Sequence, residues 1–270
     1  MPELPEVETT RRGLLPLVRG ARIAALVVYD PRLRWPIPPV LSRILPGRVI
    51  HDLRRRGKYL LADCDRGTLI LHLGMSGSLR VVDAGLAPGP WDAFDLVLAN
   101  GQGVRLRDPR RFGALLYTPR AARHPLLAHL GPEPLEAGFD GAYLHERARG
   151  RRVAIRDFLM NTRVVAGIGN IYANESLFKA GIDPRRAAGR VARPRYEALS
   201  RAIVTVLTEA IAQGGTTLKD FSGSDGRPGY FQQALRVYGR AGAPCQSCRT
   251  PVVGVSLGGR SAYYCPRCQR

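Results

Sequence analysis

Between residues 22 and 117, apolar and β-branched residues come in short bursts that alternate with polar ones and are parted by glycine-rich turns. This period of two predicts strands at 22–29, 58–63, 68–73, 78–82, 94–99, 104–107 and 114–117. Strands this dense predict a two-sheet sandwich or a barrel over residues 1–130. Ahead of them, Val7, Leu14, Leu15 and Val18 recur at helical spacing, predicting a helix over 3–18 whose end Pro16 weakens. Gly131-Pro132-Glu133-Pro134 breaks the strand pattern. Beyond it the period turns helical over 153–160, 170–180 and 194–213, with Gly214 and Gly215 as the stop. Residues 216–230, which include Gly223, Gly226, Pro228 and Gly229, read as a mobile loop.

The last 26 residues follow a different logic. They hold four of the five cysteines, as Cys245-x-x-Cys248 and, sixteen residues on, Cys265-x-x-Cys268. Two such turns brought together by a hairpin give tetrahedral thiolate coordination of one structural zinc ion, with no open position for catalysis. Strands at 251–256 and 261–264 would flank a tip at Leu257-Gly258-Gly259-Arg260, so that Arg260 projects from a metal-pinned scaffold. Cys64 stands alone in a strand-like segment and reads as a small buried hydrophobe.

Charge narrows the choice of partner. The 270 residues carry a net +19, spread over both halves and not confined to a tail. A positive folded surface predicts a polyanionic partner, nucleic acid first and an anionic membrane second. No apolar run reaches the length of a membrane span, and acidic residues precede any signal-like pattern, so the expected location is the cytosol. Only Lys58, Lys179 and Lys219 are lysine, the other 38 basic residues being arginine. Lysine can give up a proton where arginine cannot, which makes Lys58 and Lys219 candidates for chemistry or ligand contact.

The amino terminus offers a nucleophile. Methionine is normally trimmed before a residue as small as proline, which would leave Pro2 as a secondary amine titrating near pH ~8. Such an amine attacks aldehyde-level carbons and gives an iminium, an electron sink for elimination. Glu3, Glu6 and Glu8 are near enough in sequence to move protons. The same residues also suit a helix start, with proline in the first turn and acids at the positive end of the dipole.

Three glycine-rich turns fit a nucleic acid. Gly167-Ile168-Gly169-Asn170 leads into a helix and reads either as a phosphate cradle or as a structural turn. Asp108-Pro109-Arg110-Arg111-Phe112-Gly113 supplies cations and an aromatic wedge, or else an ordinary hairpin with Phe112 in the core. Gly74-Met75-Ser76-Gly77 is tipped by Met75, for which packing is the commoner role. His72, between Leu71 and Leu73, reads as a satisfied core histidine.

Taken together, these segments resemble the bacterial formamidopyrimidine-DNA glycosylases, the 8-oxoguanine glycosylases and abasic-site lyases of the Fpg/Nei family. The likeness runs from Met1-Pro2-Glu3-Leu4-Pro5-Glu6-Val7-Glu8-Thr9 through Gly57-Lys58-Tyr59-Leu60-Leu61, His72–Gly77, 108–113, 167–173 and 214–220 to the four-cysteine finger. It implies an α+β multidomain protein. Residues 1–132 would form a catalytic β-sandwich with its leading helix, residues 133–233 a helix–two-turn–helix domain, and residues 234–270 a β-hairpin zinc finger.

The resemblance also implies roles. Pro2 would be the Schiff-base nucleophile, Glu3 the acid–base group, Glu6 its support, and Lys58 a proton donor and phosphate contact. Met75, Arg110 and Phe112 would fill the gap left by an everted base. Asn170 and Arg260 would hold phosphates, with Arg260 assisting elimination. Arg151 would contact DNA, and the loop around Lys219 would close over the flipped base. Trp91 stands where the family often has a DNA-contacting histidine, which puts that contact in question. The implied partner of this monomer is damaged double-stranded DNA, with no membrane and no redox or catalytic metal cofactor. The rivals are an endonuclease VIII-type enzyme for oxidised pyrimidines and a non-catalytic damaged-DNA-binding protein. The run Leu4-Pro5-Glu6-Val7 and the Arg110–Phe112 wedge favour the purine enzyme.

Overall fold

The computed structural model describes residues 1–215 and 235–270. They form two compact units, Met1–Ala128 with 213–215, and His129–Ala212 with 235–270.

Helix α1 (Leu4–Val18) opens the first unit. Pro5 lies in its first turn, where a missing N–H costs nothing. Glu3 is the N-cap of a capping box: Glu3 N–H donates to Glu6 Oε2 at 2.8 Å, and the Glu3 side chain accepts from the Glu6 backbone. Val7, Leu14 and Val18 face the core, and the helix stops two residues after Pro16.

Eight strands form two antiparallel sheets. One has the order β1 (Ile23–Val28), β6 (Asp92–Leu98), β7 (Gln102–Arg107), β5 (Ser78–Asp83). The other runs β2 (Ile50–Arg56), β3 (Tyr59–Cys64), β4 (Gly67–His72), β8 (Ala114–Thr118). Leu26, Phe94, Leu96 and Val104 from the first sheet share a buried cluster with Leu53, Leu60, Leu69 and Leu115 from the second. Both sheets keep open edges, so the arrangement is a sandwich and not a barrel. Cys64 is buried in this core, and burial pushes its thiol up to about 11, far from a reactive thiolate.

Strand β2 is absent from the sequence expectation. Its apolar residues, Ile50 and Leu53, are three apart instead of two or four. The pairing with β3 is irregular between Ile50 and Asp52, and this extra residue turns both side chains to the same face.

Two short helices, α2 (Leu41–Ile44) and α3 (Pro125–Ala128), complete the first unit. The second contains α4 (Gly141–Ala148), α5 (Ile155–Met160), α6 (Asn170–Lys179) and α7 (Arg193–Ala212). Helix α4 is also absent from the expectation; its start is set by Asp140, whose carboxylate accepts from Tyr143 N–H at 2.7 Å. Gly141 lets α4 meet α7 backbone to backbone, since a Cβ there would lie 2.4 Å from Glu197 Cα.

The hairpin β9 (Val253–Leu257) and β10 (Arg260–Tyr264) differs in detail from its expected form. Leu257 and Arg260 are the last ladder pair, and the tip is only Gly258-Gly259, with φ +52° and +74°. Two residues at positive φ make the tight turn that matches strand twist, which glycine adopts without strain. Arg260 therefore starts a strand and is held by its ladder. Among the described residues, no helix is long and apolar enough to cross a membrane.

Candidate active site

The site is built around the amino terminus of the first unit. Pro2, Glu3 and Glu6 are buried, whereas Met1 is exposed. The terminal amine titrates below its ordinary value. Burial is the largest cause. The carboxylates of Glu3 and Glu6 oppose it, and the cations of Lys58 and Arg110 add to it. Four of the expected residues, Glu3, Glu6, Lys58 and Arg110, are thus near enough for their charges to act on one amine, which Pro2 adjoins in the chain. Gly215 joins them: at φ +79° its Cβ position lies 3.2 Å from Glu6 Oε1.

Each is placed by local geometry. Gly57 and Lys58 form the two-residue turn between Arg56 and Tyr59, the last pair of β2 and β3, and Gly57 takes φ +57°. Lys58 is buried. His72 pairs across the sheet with Tyr59, ring centres 4.8 Å apart, and its Nδ1 accepts from Gly74 N–H at 3.0 Å. Burial, reinforced by Lys58 and Arg34, lowers its pKa to about 4. It is a satisfied, neutral histidine, facing the site's lysine.

Two exposed turns stand beside it, pinned by one carboxylate. Asp108 is fully buried; it accepts from Ser76 Oγ at 3.0 Å, Gly113 N–H at 2.7 Å and Arg110 N–H at 3.3 Å. The turns touch, since a Cβ on Gly74 would fall 2.4 Å from the Phe112 carbonyl carbon. Met75 is 40% exposed and Phe112 42%, so neither is a core residue. The Arg110 guanidinium lies over the Phe112 ring at 5.2 Å. Arg111 takes φ +58°, strained for arginine, and is held by Asp30 at 3.1 Å and the Trp91 carbonyl at 3.3 Å. Trp91 itself is exposed.

In the second unit, Asn170 and Arg260 are joined through Arg156, which is 0% exposed. Its Nη1 donates to Asn170 Oδ1 at 3.0 Å and to the carbonyls of Arg260 at 3.3 Å and Ser261 at 3.2 Å. Its Nη2 reaches the Leu257 carbonyl, and its Nε bonds to Asp157 Oδ1 at 3.0 Å. Asn170 Nδ2 donates to the Ser261 carbonyl at 2.9 Å, and Tyr263 N–H donates to Asn174 Oδ1 at 2.8 Å. The finger tip is thereby fastened to the start of α6, with the Arg260 side chain exposed. Glu175 secures the chain leading to the finger by accepting from the N–H groups of Arg236, Val237 and Tyr238 at 2.8–2.9 Å. Arg151 is exposed, with its backbone bonded to Ala148 and Gly189. Lys219 lies outside the described residues.

Arg156, Asn174 and Glu175 escaped the sequence reading, as did the pinning role of Asp108 within its turn. The one signal for Arg156 is a charge set between Ile155 and Phe158 in an apolar helix.

The four finger sulfurs lie within 4.8 Å of one another, with Cys245–Cys268 at 3.9 Å and Cys248–Cys265 at 3.4 Å. Tetrahedral Zn–S bonds of ~2.3 Å require sulfurs ~3.8 Å apart. The set fits one structural zinc ion held by Cys245, Cys248, Cys265 and Cys268.

Comparison with known proteins places these parts in one class, the DNA glycosylases. Residues 1–115 match the formamidopyrimidine-DNA glycosylase N-terminal domain, residues 130–222 the H2TH domain of the same enzymes, and residues 242–270 the zinc finger found in FPG and IleRS. The formamidopyrimidine-DNA glycosylase of Methylococcus capsulatus is 58% identical and that of Magnetococcus marinus 56%, each over 100% of both chains. The chain belongs to the formamidopyrimidine-DNA glycosylase family. Among solved structures, the MutM (Fpg) protein of Thermus thermophilus is 41% identical with a TM-score of 0.88, over 99% of this chain and 98% of that one. A Lactococcus lactis Fpg mutant in complex with Fapy-dG-containing DNA is 32% identical with a TM-score of 0.92, over 100% of both chains.

Proposed function

We propose that the protein is a base-excision repair enzyme, a bifunctional glycosylase and abasic-site lyase that removes oxidised purines such as 8-oxoguanine and formamidopyrimidines from duplex DNA. The observation that carries this reading is the buried amine ringed by two carboxylates and two cations. A depressed pKa raises the neutral, nucleophilic fraction near pH 7. With Met1 removed, the nitrogen of Pro2 becomes the terminal amine, one residue further into the same buried segment and next to Glu3.

The chemistry then runs in order. The Pro2 nitrogen attacks C1′, the bond from C1′ to the base breaks, and a proton from the acid–base group Glu3 completes sugar opening. The iminium acidifies C2′; loss of that proton breaks the C3′–O bond and releases the 3′ phosphate. A second proton loss, from C4′, breaks the C5′–O bond. Water hydrolyses the linkage and restores the amine. Glu6 holds Glu3 in place, and Lys58 supplies a proton and meets a phosphate.

A target carbon inside a duplex must first be everted, at a cost of a few kcal/mol. Met75 and Phe112 are suited to fill the vacated stack, with Arg110 facing the orphaned base. Asn170, Arg260 and Arg151 are suited to phosphates, and Trp91 stands exposed where the family resemblance expects a further DNA contact. The zinc-bound finger supplies rigidity to Arg260 and takes no part in bond making. The protein acts as a monomer in the bacterial cytosol or nucleoid. Its functional segments are 1–132, 133–233 and 234–270.

Excision assays on duplexes carrying 8-oxoguanine opposite cytosine, and on thymine glycol duplexes, test the substrate. Preferential release of the purine is expected, whereas cutting of the pyrimidine alone refutes the assignment.

A further inference from the structure

Trp91 occupies a position where a DNA contact is expected, yet indole carries no charge to meet a phosphate. A charge stands over it: Arg107 Cζ lies 4.6 Å from the centre of the Trp91 ring. Trp91 is 43% exposed, and Arg107 is half-buried at the end of β7. Asp92, the ladder partner of Arg107, does not neutralise it. The Asp92 carboxylate accepts from Arg105 at 3.3 Å and from Gly89 N–H at 2.7 Å. Among the described residues, no ion pair involves Arg107.

The pair is held rigidly. Buried Arg105 donates to the carbonyls of Leu86 and Ala87 at 2.5 and 3.1 Å, which fixes the loop that leads to Trp91. The Trp91 carbonyl then accepts from Asp108 N–H at 2.9 Å and from Arg111 at 3.3 Å. Ring and cation are thus tied to the turn that carries Arg110 and Phe112. A guanidinium over an aromatic face loses little freedom on binding and keeps its N–H fork for a phosphate.

We propose that Arg107, seated on Trp91, contacts a DNA backbone phosphate beside the Arg110–Phe112 turn, the two residues acting as one unit. The inference rests on the DNA-binding reading above and deepens it. The indole orders the arginine, and the arginine supplies the charge.

The test is a salt series, from about 50 to about 300 mM, of Kd for a duplex carrying a tetrahydrofuran abasic analogue, followed by fluorescence anisotropy. Arg107→Gln should weaken binding several-fold and flatten the plot of log Kd against log salt by about 0.9, the loss of one counterion release. Arg107→Lys should restore the slope with part of the affinity. Trp91→Ala should cost less, and Trp91→Ala with Arg107→Gln should bind no worse than Arg107→Gln alone. A wild-type slope in Arg107→Gln overturns the proposal, whether or not its Tm falls, since a purely structural stack moves Tm and not the slope. Wild-type protein that fails to bind the duplex is a separate failure, of the DNA-binding reading itself.

Discussion

Replacing Arg156 with Met should release the finger tip from α6 without touching zinc. Methionine roughly matches the volume but donates nothing. The change takes one donor from each of the carbonyls of Leu257, Arg260 and Ser261, the last keeping Asn170 Nδ2 at 2.9 Å, and leaves Asp157 without its cation. Each buried acceptor left unpaired costs about 1–3 kcal/mol, and breaking a buried ion pair about 3–5 kcal/mol. These do not add in full. Asn170 Oδ1 keeps a donor in Asn174 Nδ2 at 3.2 Å, and the hairpin can lift into water. A net loss of ~3 kcal/mol is reasonable, which shifts the docking equilibrium by roughly 100-fold. Amide exchange reads this directly, because the Tyr263 N–H is protected by Asn174 Oδ1. In Arg156→Met that amide should exchange up to ~100-fold faster, and affinity for an abasic duplex should fall as Arg260 loses its fixed place beside Asn170. Bound zinc should stay at one per chain. Unchanged Tyr263 exchange with wild-type affinity would refute the claim that Arg156 positions the tip.

Three further outcomes follow from the same geometry. Chelation that removes the zinc should weaken DNA binding about tenfold by disordering Arg260, and unchanged affinity after verified metal loss would contradict this. His72 is neutral in the fold with its pKa lowered to about 4 from 6.5, so between these values the unfolded chain binds the extra proton. Stability should therefore fall as pH drops from about 6.5 to about 4, and His72→Asn should flatten that part of the urea-denaturation profile. Asp108→Ala leaves Ser76 Oγ and two backbone N–H groups without their acceptor, and should cost about 2–4 kcal/mol by denaturation while loosening the Met75 and Phe112 turns.

Whatever is periodic or chemically singular is legible in the sequence. The four cysteines announce their coordination by type and spacing, and α6 and α7 repeat every few residues. Strands β3 to β8 alternate, or run continuously apolar between turn residues. Strand β2 escapes the pattern because a bulge shifts its period. Arg260 reads as a tip residue because the spacing cannot tell a two-residue turn from a four-residue one. The fastenings are the least legible. Arg156 reaches Arg260 across 104 residues and Glu175 reaches Tyr238 across 63, and no local pattern records such pairs. Pro2, Glu3 and Glu6 stand out through chemistry, yet Glu3 and Glu6 also form the capping box, so the helix-start and active-site readings hold together.

The central claim is that the mature amino terminus becomes covalently joined to deoxyribose. Borohydride reduction of the wild-type reaction with abasic or 8-oxoguanine duplex, followed by peptide mapping of the adduct, tests it most directly. The account predicts a single reduced linkage on the Pro2 nitrogen of a chain lacking Met1, with little adduct from Pro2→Gly combined with Glu3→Gln. An adduct mapped to Lys58 or any other amine, or normal strand scission by protein that still carries Met1, would contradict it.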